Sequence, residues 1–259
     1  MVFPGVWTAP PPRPGATVAT ADDFGILGAS RDGAMAEKVA VPVRNLLPKP
    51  PELSFVQAAA VPVTFVTAWH MLIERARVRP GEWVLVNSAG SGVSTAGIQI
   101  AVLAGATVIA TSSTDEKLEH ARALGAAHAI NYRTEDVAGR VREITGGRGV
   151  DVALDHVARA TFAANMASLA KGGRLVICGT TGGPEVSLNV APFYYQAQSI
   201  LGSTLGTVED LSACLRLVAA GKLRTVIDRT FPMDEIADAH AYMENQKQIG
   251  KVVIEIGPS

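Results

Sequence analysis

The residues best suited to chemistry gather around a short run that changes character twice. Val84-Leu85-Val86 is apolar, Asn87-Ser88-Ala89-Gly90-Ser91-Gly92 is small, and Val93-Ser94 opens a helix-like stretch. Small side chains let a backbone approach a diphosphate, and the first free amides of a helix beginning near Val93 would face it with the positive end of the dipole. A phosphate is therefore expected over Gly90, Ser91, Gly92, Val93 and Ser94. The strict pattern G-x-G-x-x-G is absent, so on these residues alone an ordinary tight strand-to-helix turn stays open. About twenty residues on, a dinucleotide site chooses between a ribose hydroxyl and a ribose phosphate. Here the chain reads Thr111-Ser112-Ser113-Thr114 with no acid at the tip, and Lys117 follows one turn later. A carboxylate would repel a 2′-phosphate, whereas the Ser112 hydroxyl and Lys117 would accept one, which favours NADPH over NADH. Two other readings remain: Asp115 reaching the ribose of NADH, or Thr114 and Asp115 merely capping a helix.

Other chemistries lack their residues. No serine sits in G-x-S-x-G, so a hydrolase elbow is absent. Tyr132, Tyr194, Tyr195 and Tyr242 are followed four places on by Asp136, Gln198, Ser199 and Gln246, never by lysine, which argues against a short-chain reductase. No Walker lysine follows the glycine turn. Cys178 and Cys214 form no C-x-x-C, and Cys178 reads as a small hydrophobe rather than a nucleophile because no base is linked to it by motif. Asp155-His156 invites acid/base work, yet a carboxylate ending a buried strand more often ties down a neighbouring loop.

The elements that must position these groups alternate. Strands are expected at Trp83 to Asn87, Thr107 to Thr111, His128 to Asn131, Val150 to Asp155, Arg174 to Cys178 and Ser199 to Thr204, with helices between them closed by Gly105 and Gly125. Crossovers of that length imply a parallel sheet covered on both faces, the doubly wound α/β arrangement. Later come a helix from Val208 to Ala220 closed by Gly221, a strand near Val226 to Thr230, a helix near Asp234 to Asn245 and a strand from Lys251 to Ile256. Residues 1–23, rich in Pro4, Pro10, Pro11, Pro12 and Pro14, read as an extended or disordered head, and Phe24 to Pro51 as a small β-rich piece.

Composition narrows the partners. With 23 Lys plus Arg against 24 Asp plus Glu, the net charge of -1 gives no case for nucleic acid or an anionic membrane. Trp83 to Thr114 carries no charge, but Gly90, Gly92, Gly97 and Gly105 interrupt it, so a sheet buried between helices explains it without lipid. The start of the chain lacks a signal-peptide pattern and two cysteines suit a reducing compartment, so a cytoplasmic location is expected.

Several passages together carry a resemblance. They are Phe24-Gly25-Ile26-Leu27-Gly28, Asn45-Leu46-Leu47-Pro48-Lys49-Pro50, Ala58-Ala59-Ala60-Val61-Pro62 leading to Thr67-Ala68-Trp69, and the turn Ala89-Gly90-Ser91-Gly92-Val93. Asp151 to Val157, Gly172-Gly173-Arg174-Leu175-Val176, Leu201 to Thr207 and Gly250-Lys251-Val252-Val253 complete the set. From Phe24 to Ile256 the chain resembles the medium-chain dehydrogenase/reductase superfamily, especially its zinc-type alcohol dehydrogenase and quinone oxidoreductase-like members. The resemblance implies a Rossmann dinucleotide-binding domain over 71–222 and a partial GroES-like, β-rich catalytic domain from 24–70 and 223–259. It further implies hydride transfer between NAD(P)H and a carbonyl, alcohol or activated double bond of a small-molecule substrate.

Carried over by position, the resemblance implies Thr67 beside the nicotinamide and Cys178, Gly179 and Thr180 in the loop passing its ribose. Asp155 and Val157 fall on the rim near the adenosine and ribose, and Tyr132 near the 2′-phosphate. It also implies a homodimer paired through the edge strand at Ser199 to Thr204. The departures are a serine, Ser94, where the turn usually ends in glycine, and Val63 where zinc members carry a cysteine. The first catalytic segment, which bears the zinc-binding cysteine and Gly-His-Glu, has no counterpart here. The five histidines form no close ligand pair, so no metal is expected. Two readings follow: a zinc-independent NADPH oxidoreductase acting on a quinone, enone or related carbonyl, or a nucleotide-binding pseudoenzyme or shortened product that keeps the Rossmann fold without efficient catalysis.

Overall fold

A two-residue strand, Gly5–Val6 (β1), pairs antiparallel with Gly25–Ile26 (β2) at the start of the computed structural model, which describes residues 1–8 and 18–257. The chain forms two compact units, Met1–Thr67 with Thr204–Ser259, and Ala68–Ser203. In the first unit, residues 1–8 are tied down rather than loose. Phe3 is fully buried, its amide donates to Asn45 O at 2.7 Å, and Asn45 Nδ2 donates to Phe3 O and Gly5 O at 2.8 and 2.5 Å. One buried side-chain amide thus supplies donors where prolines interrupt the ladder. Pro10, Pro11, Pro12 and Pro14 lie outside the described residues. The β-rich piece expected between Phe24 and Pro51 is reduced to β2 and two isolated bridges, Leu46 to Val2 and Leu27 to Arg31. Val39-Ala40-Val41 makes no strand, because Pro42, Pro48, Pro50 and Pro51 withhold the amides a ladder needs.

Helix α1 (Phe55–Ala59) begins with a capping box in which the Ser54 hydroxyl accepts from Gln57 N and the Gln57 side chain accepts from Ser54 N. Helix α2 (Thr64–Trp69) runs on into a wider turn at His70–Arg75, where Ala76 N reaches back five residues to Met71 O.

The second unit is built on six strands: β3 (Trp83–Val86), β4 (Thr107–Ser112), β5 (His128–Asn131), β6 (Val150–Asp155), β7 (Leu169–Ile177) and β8 (Ser199–Gly202). All pairings are parallel, in the spatial order β5-β4-β3-β6-β7-β8. The intervening helices are α3 (Gly92–Leu103), α4 (Asp115–Ala123), α5 (Val137–Ile144), α6 (Arg159–Ser168) and α7 (Val190–Tyr195). Order and direction are those of the doubly wound Rossmann sheet, with the reversal point between β3 and β6. The strands match the expected ones closely. The largest difference is β7, which starts five residues early at Leu169 because Val150 pairs with Leu169 ahead of a register shift.

Alternation along the strands explains the two covered faces. Leu85, Ile109, Ala153 and Leu175 point to one face, where they cluster with Val141 of α5 and Phe162 of α6, all at most 3% exposed. Leu154, the next residue on β6, points the other way to α3, where a Cβ on Gly97 would lie 2.9 Å from Leu154 Cδ1. The absent side chain at Gly97 is what lets α3 lie close against the sheet.

The first unit resumes with α8 (Val208–Ala219), opened by a capping box between Thr207 and Asp210. Strand β9 (Ile227–Pro232), helix α9 (Ile236–Glu244) and strand β10 (Lys251–Glu255) then form a parallel βαβ unit. Residues 204–222, expected with the nucleotide-binding domain, fall instead in the first unit, where the Cys214 thiol of α8 lies 3.6 Å from Phe65 O. Among the described residues no helix is long and apolar enough to cross a membrane.

Candidate functional site

The carboxyl ends of β3, β4, β6 and β7 meet at the reversal point, where an open parallel sheet receives a ligand. The turn from β3 to α3 is held from both sides. From β4, Thr111 O accepts from Ala89 N at 2.8 Å and Thr111 Oγ1 from Ser88 N at 3.3 Å. From β6, Leu154 O accepts from Asn87 N at 3.2 Å. Ser88 adopts φ +53°, a left-handed position without glycine, and its carbonyl accepts from Ser91 N at 2.8 Å. This tight turn sets the chain direction into α3.

Ser91 occupies the N-cap of α3 in extended conformation, yet its side chain makes no capping hydrogen bond. By contrast Thr114 caps α4, Asp136 caps α5 and Thr207 caps α8. The amides of Gly92, Val93 and Ser94 are thus first-turn donors with no carbonyl four residues behind them inside the helix, and the dipole adds positive potential there. A helix start of this kind can receive an anion with several oxygens. Ser94 contributes its amide alone, because its buried hydroxyl donates to Asn87 O at 2.6 Å.

At the end of β4, Ser112 is 2% exposed, and its carbonyl accepts from Tyr132 N at 3.1 Å, which brings Tyr132 beside it. Lys117 stands in the first turn of α4, its amide donating to the capping Thr114 hydroxyl at 3.4 Å. Asp115 Oδ1 accepts from Asn131 Nδ2 at 3.1 Å, so this acid is engaged at the neighbouring strand. Arg133, which the sequence reading passed over, follows Tyr132 on the same exposed turn with its amide bonded to Asn131 Oδ1 at 3.1 Å. No spacing rule marks it.

Asp155, fully buried at the end of β6, is a fastening. Its carboxylate accepts from Val157 N at 2.9 Å, Ala158 N at 3.1 Å and the Thr161 hydroxyl at 2.8 Å. Ala158 is held at φ +65°, ψ -111°, a strained conformation for a residue with a Cβ. The loop after β7 is laced onto this segment: Cys178 N donates to Asp155 O, Thr181 N to His156 O, Gly182 N to Val157 O, and Arg159 N returns to Gly183 O. At Gly179 a Cβ would meet His156 O at 2.9 Å, so only glycine lets the two loops approach so closely. Thr180 is exposed and closes a turn with Gly183. Burial pushes the Cys178 thiol up to about 12, and the Asp155 carboxylate pushes the same way, so at neutral pH the sulfur is an unreactive thiol. Burial likewise lowers the pKa of His156, with Asp155 opposing, which favours the neutral imidazole.

The turn, the β4 edge and the two laced loops therefore gather Gly90 to Ser94, Ser112, Lys117, Tyr132, Asp155, Val157 and Cys178 to Thr180 along one edge of one sheet. Thr67 belongs to the first unit, 6% exposed on α2, with its amide donating to Val63 O at 3.0 Å. The histidines do not converge. His128 stacks on Trp83 with centroids 5.7 Å apart, and among the described residues no group of three or more His, Cys, Asp or Glu could hold a metal ion.

Residues 92–220 match the family model described as zinc-binding dehydrogenase. A zinc-type alcohol dehydrogenase-like protein of Schizosaccharomyces pombe is 35% identical over 237 residues, covering 89% of this chain and 68% of that protein. The 2-haloacrylate reductase of a Burkholderia species is 35% identical over 234 residues, covering 86% and 70%. Among solved structures, an NAD-dependent alcohol dehydrogenase superposes with a TM-score of 0.91 at 41% identity, covering 99% of this chain and 75% of that one. A crotonyl-CoA carboxylase/reductase in complex with NADP gives 0.91 at 25% identity, covering 97% and 70%.

Proposed function

The chain belongs to the medium-chain dehydrogenase/reductase superfamily of NAD(P)-dependent oxidoreductases, and from that premise we propose that it is a zinc-independent, NADPH-preferring reductase of an electron-poor double bond or carbonyl, such as an enone or quinone. The observation that carries the reading is the start of α3 at the sheet's reversal point, which has no side-chain cap and lies beneath a turn pinned by β4 and β6. The substrate class is supported by the 2-haloacrylate reductase and the NADP-bound crotonyl-CoA carboxylase/reductase, whose names both denote conjugated double bonds.

In this reading the amides of Gly92, Val93 and Ser94 hold the diphosphate. Ser112, Lys117 and Tyr132 take the 2′-phosphate, and the Cys178 to Thr180 loop borders the nicotinamide ribose. When bound, the reduced nicotinamide supplies hydride; the protein's share is orientation and exclusion of water. Thr67 is assigned the hydrogen bond to the substrate oxygen, where negative charge develops. Two free cysteines, Cys178 and Cys214, suit a reducing, cytoplasmic setting.

The test is a titration of NADPH against NADH, followed by turnover with quinones, enones, 2-haloacrylate and crotonyl-CoA. Tighter NADPH binding with saturable oxidation is expected. Lys117→Ala should weaken NADPH binding about tenfold while leaving NADH unchanged, as the loss of one charge-assisted phosphate contact requires. Dinucleotide binding with no turnover on any acceptor would leave a nucleotide-binding protein instead. Prolonged dialysis against a chelator should leave activity unchanged, and a proportional loss would refute zinc independence.

A further inference from the structure

A buried side-chain amide left short of partners is expensive, and natural structures keep few of them. One lies just behind the diphosphate turn. Asn165, on α6, is fully buried, and its Nδ2 has no hydrogen-bond partner among the described residues, while its Oδ1 accepts from Asn87 Nδ2 at 2.8 Å. Asn87, 3% exposed, also donates through Nδ2 to Leu154 O at 3.1 Å. Its own carbonyl accepts the hydroxyl of Ser94 at 2.6 Å. A continuous chain thus runs from α6 through the end of β3 to the first turn of α3. It ends on the residue that stands where the turn usually has glycine.

We infer that Asn165 is a positioning residue for the dinucleotide diphosphate, acting through Asn87 and Ser94 to fix the first-turn amides of α3. The inference rests on the dinucleotide reading of that turn. The Ser94 hydroxyl is fully buried, so it needs a fixed acceptor. Asn87 O is that acceptor, and Asn165 Oδ1 together with Leu154 O fixes the Asn87 side chain. Truncating Asn165 strands a buried donor of Asn87, so the turn relaxes to satisfy it. Removing the Ser94 hydroxyl cuts the same chain at its other end while deleting only one atom.

The experiment measures dissociation constants of NADPH and NADH, and of adenosine as a probe lacking the diphosphate, for the full chain and for Asn165→Ala, Ser94→Ala and the double variant. Each single variant should bind its preferred dinucleotide three- to tenfold more weakly, with adenosine affinity unchanged within twofold. The double variant should be no weaker than the worse single one, because both cut one chain. Unchanged dinucleotide affinity in a folded Ser94→Ala would overturn the inference, as would equal losses for dinucleotide and adenosine, or losses that multiply in the double variant. A parent chain that binds neither dinucleotide would instead overturn the reading of the turn on which it rests.

Discussion

Replacing Asp155 by alanine separates a fastening from a ligand. The carboxylate is buried completely and receives two amides and one hydroxyl, from Val157, Ala158 and Thr161. Hydrogen bonds to a charged acceptor contribute about 1.5–3 kcal/mol each, which would sum to several kcal/mol. Removing the carboxylate also removes its own desolvation penalty, and the comparable loss of one member of a buried ionic pair costs about 3–5 kcal/mol. Strain at Ala158, of the order of 1–3 kcal/mol, is then free to relax, which holds the net loss near the lower end, about 3 kcal/mol. For a chain of this size that is a fall in Tm of roughly 6–12 °C, followed by circular dichroism. Asp155→Asn should lose less, since one oxygen is kept and the Thr161 hydroxyl can turn. Cofactor affinity should fall in both variants by less than the stability change implies, because the loops move as a laced pair. A Tm within about 1 °C of the parent, combined with a large loss of dinucleotide affinity, would refute the fastening and return Asp155 to the role of a direct ligand.

Iodoacetamide at pH 8 should label the folded protein slowly at both cysteines. Burial raises Cys178 and Cys214 to about 12, leaving roughly a thousandth of the thiolate an ordinary cysteine would offer, and rapid alkylation of Cys178 found by mass spectrometry would restore a nucleophile there. Acid should weaken the fold partly through Asp151. Burial works to raise its pKa but is outweighed by the Arg148 and Trp83 hydrogen bonds and by the charges of Arg148 and Arg174, so the folded value lies below 3.8. Its contribution is therefore complete above about pH 4 and disappears as pH falls through the folded value, and Asp151→Asn should flatten that part of a stability–pH curve measured by denaturant. The edge strand β8, which is mostly exposed and whose outer side has no neighbour in the sheet among the described residues, is proposed to pair with a second copy across a two-fold axis. Sedimentation should give a species of twice 27.0 kDa that Ile200→Lys reduces to one chain, and a parent already at 27.0 kDa would remove the proposal.

The parallel sheet was legible because β3 and β4 are largely apolar runs and the first two crossovers close on a glycine. Gly105 and Gly125 sit at φ +82° and +105°, so the residue type itself marks the helix ends. The phosphate turn was legible for a related reason, since small residues between a buried strand and a helix have few other uses. What could not be read lies where one side chain serves a distant backbone. Asn45 bonds Phe3 and Gly5 across some forty residues and so ties down part of a segment that its composition reads as extended or disordered. Thr111 and Asn165 reach the turn from β4 and α6, with no periodicity and no motif to single them out.

The same distinction explains the fate of the glycine pattern. In a strict G-x-G-x-x-G the third glycine permits close packing of helix on strand. Here that approach occurs at Gly97, five residues past Gly92; the third position of the strict pattern, counted from Gly90, carries Thr95, while Ser94, where the related turn ends in glycine, has its hydroxyl bound to Asn87 O. A pattern written in spacing alone therefore scores this turn as incomplete, although both physical jobs are done. Gly97 provides the room and Ser94 the anchorage, and the anchorage depends on two asparagines that lie seven and seventy-one places from that serine. Local composition can announce that a backbone comes close to something. Which groups hold it there is a property of the sheet order, and becomes visible only once β3, β6 and α6 are brought side by side.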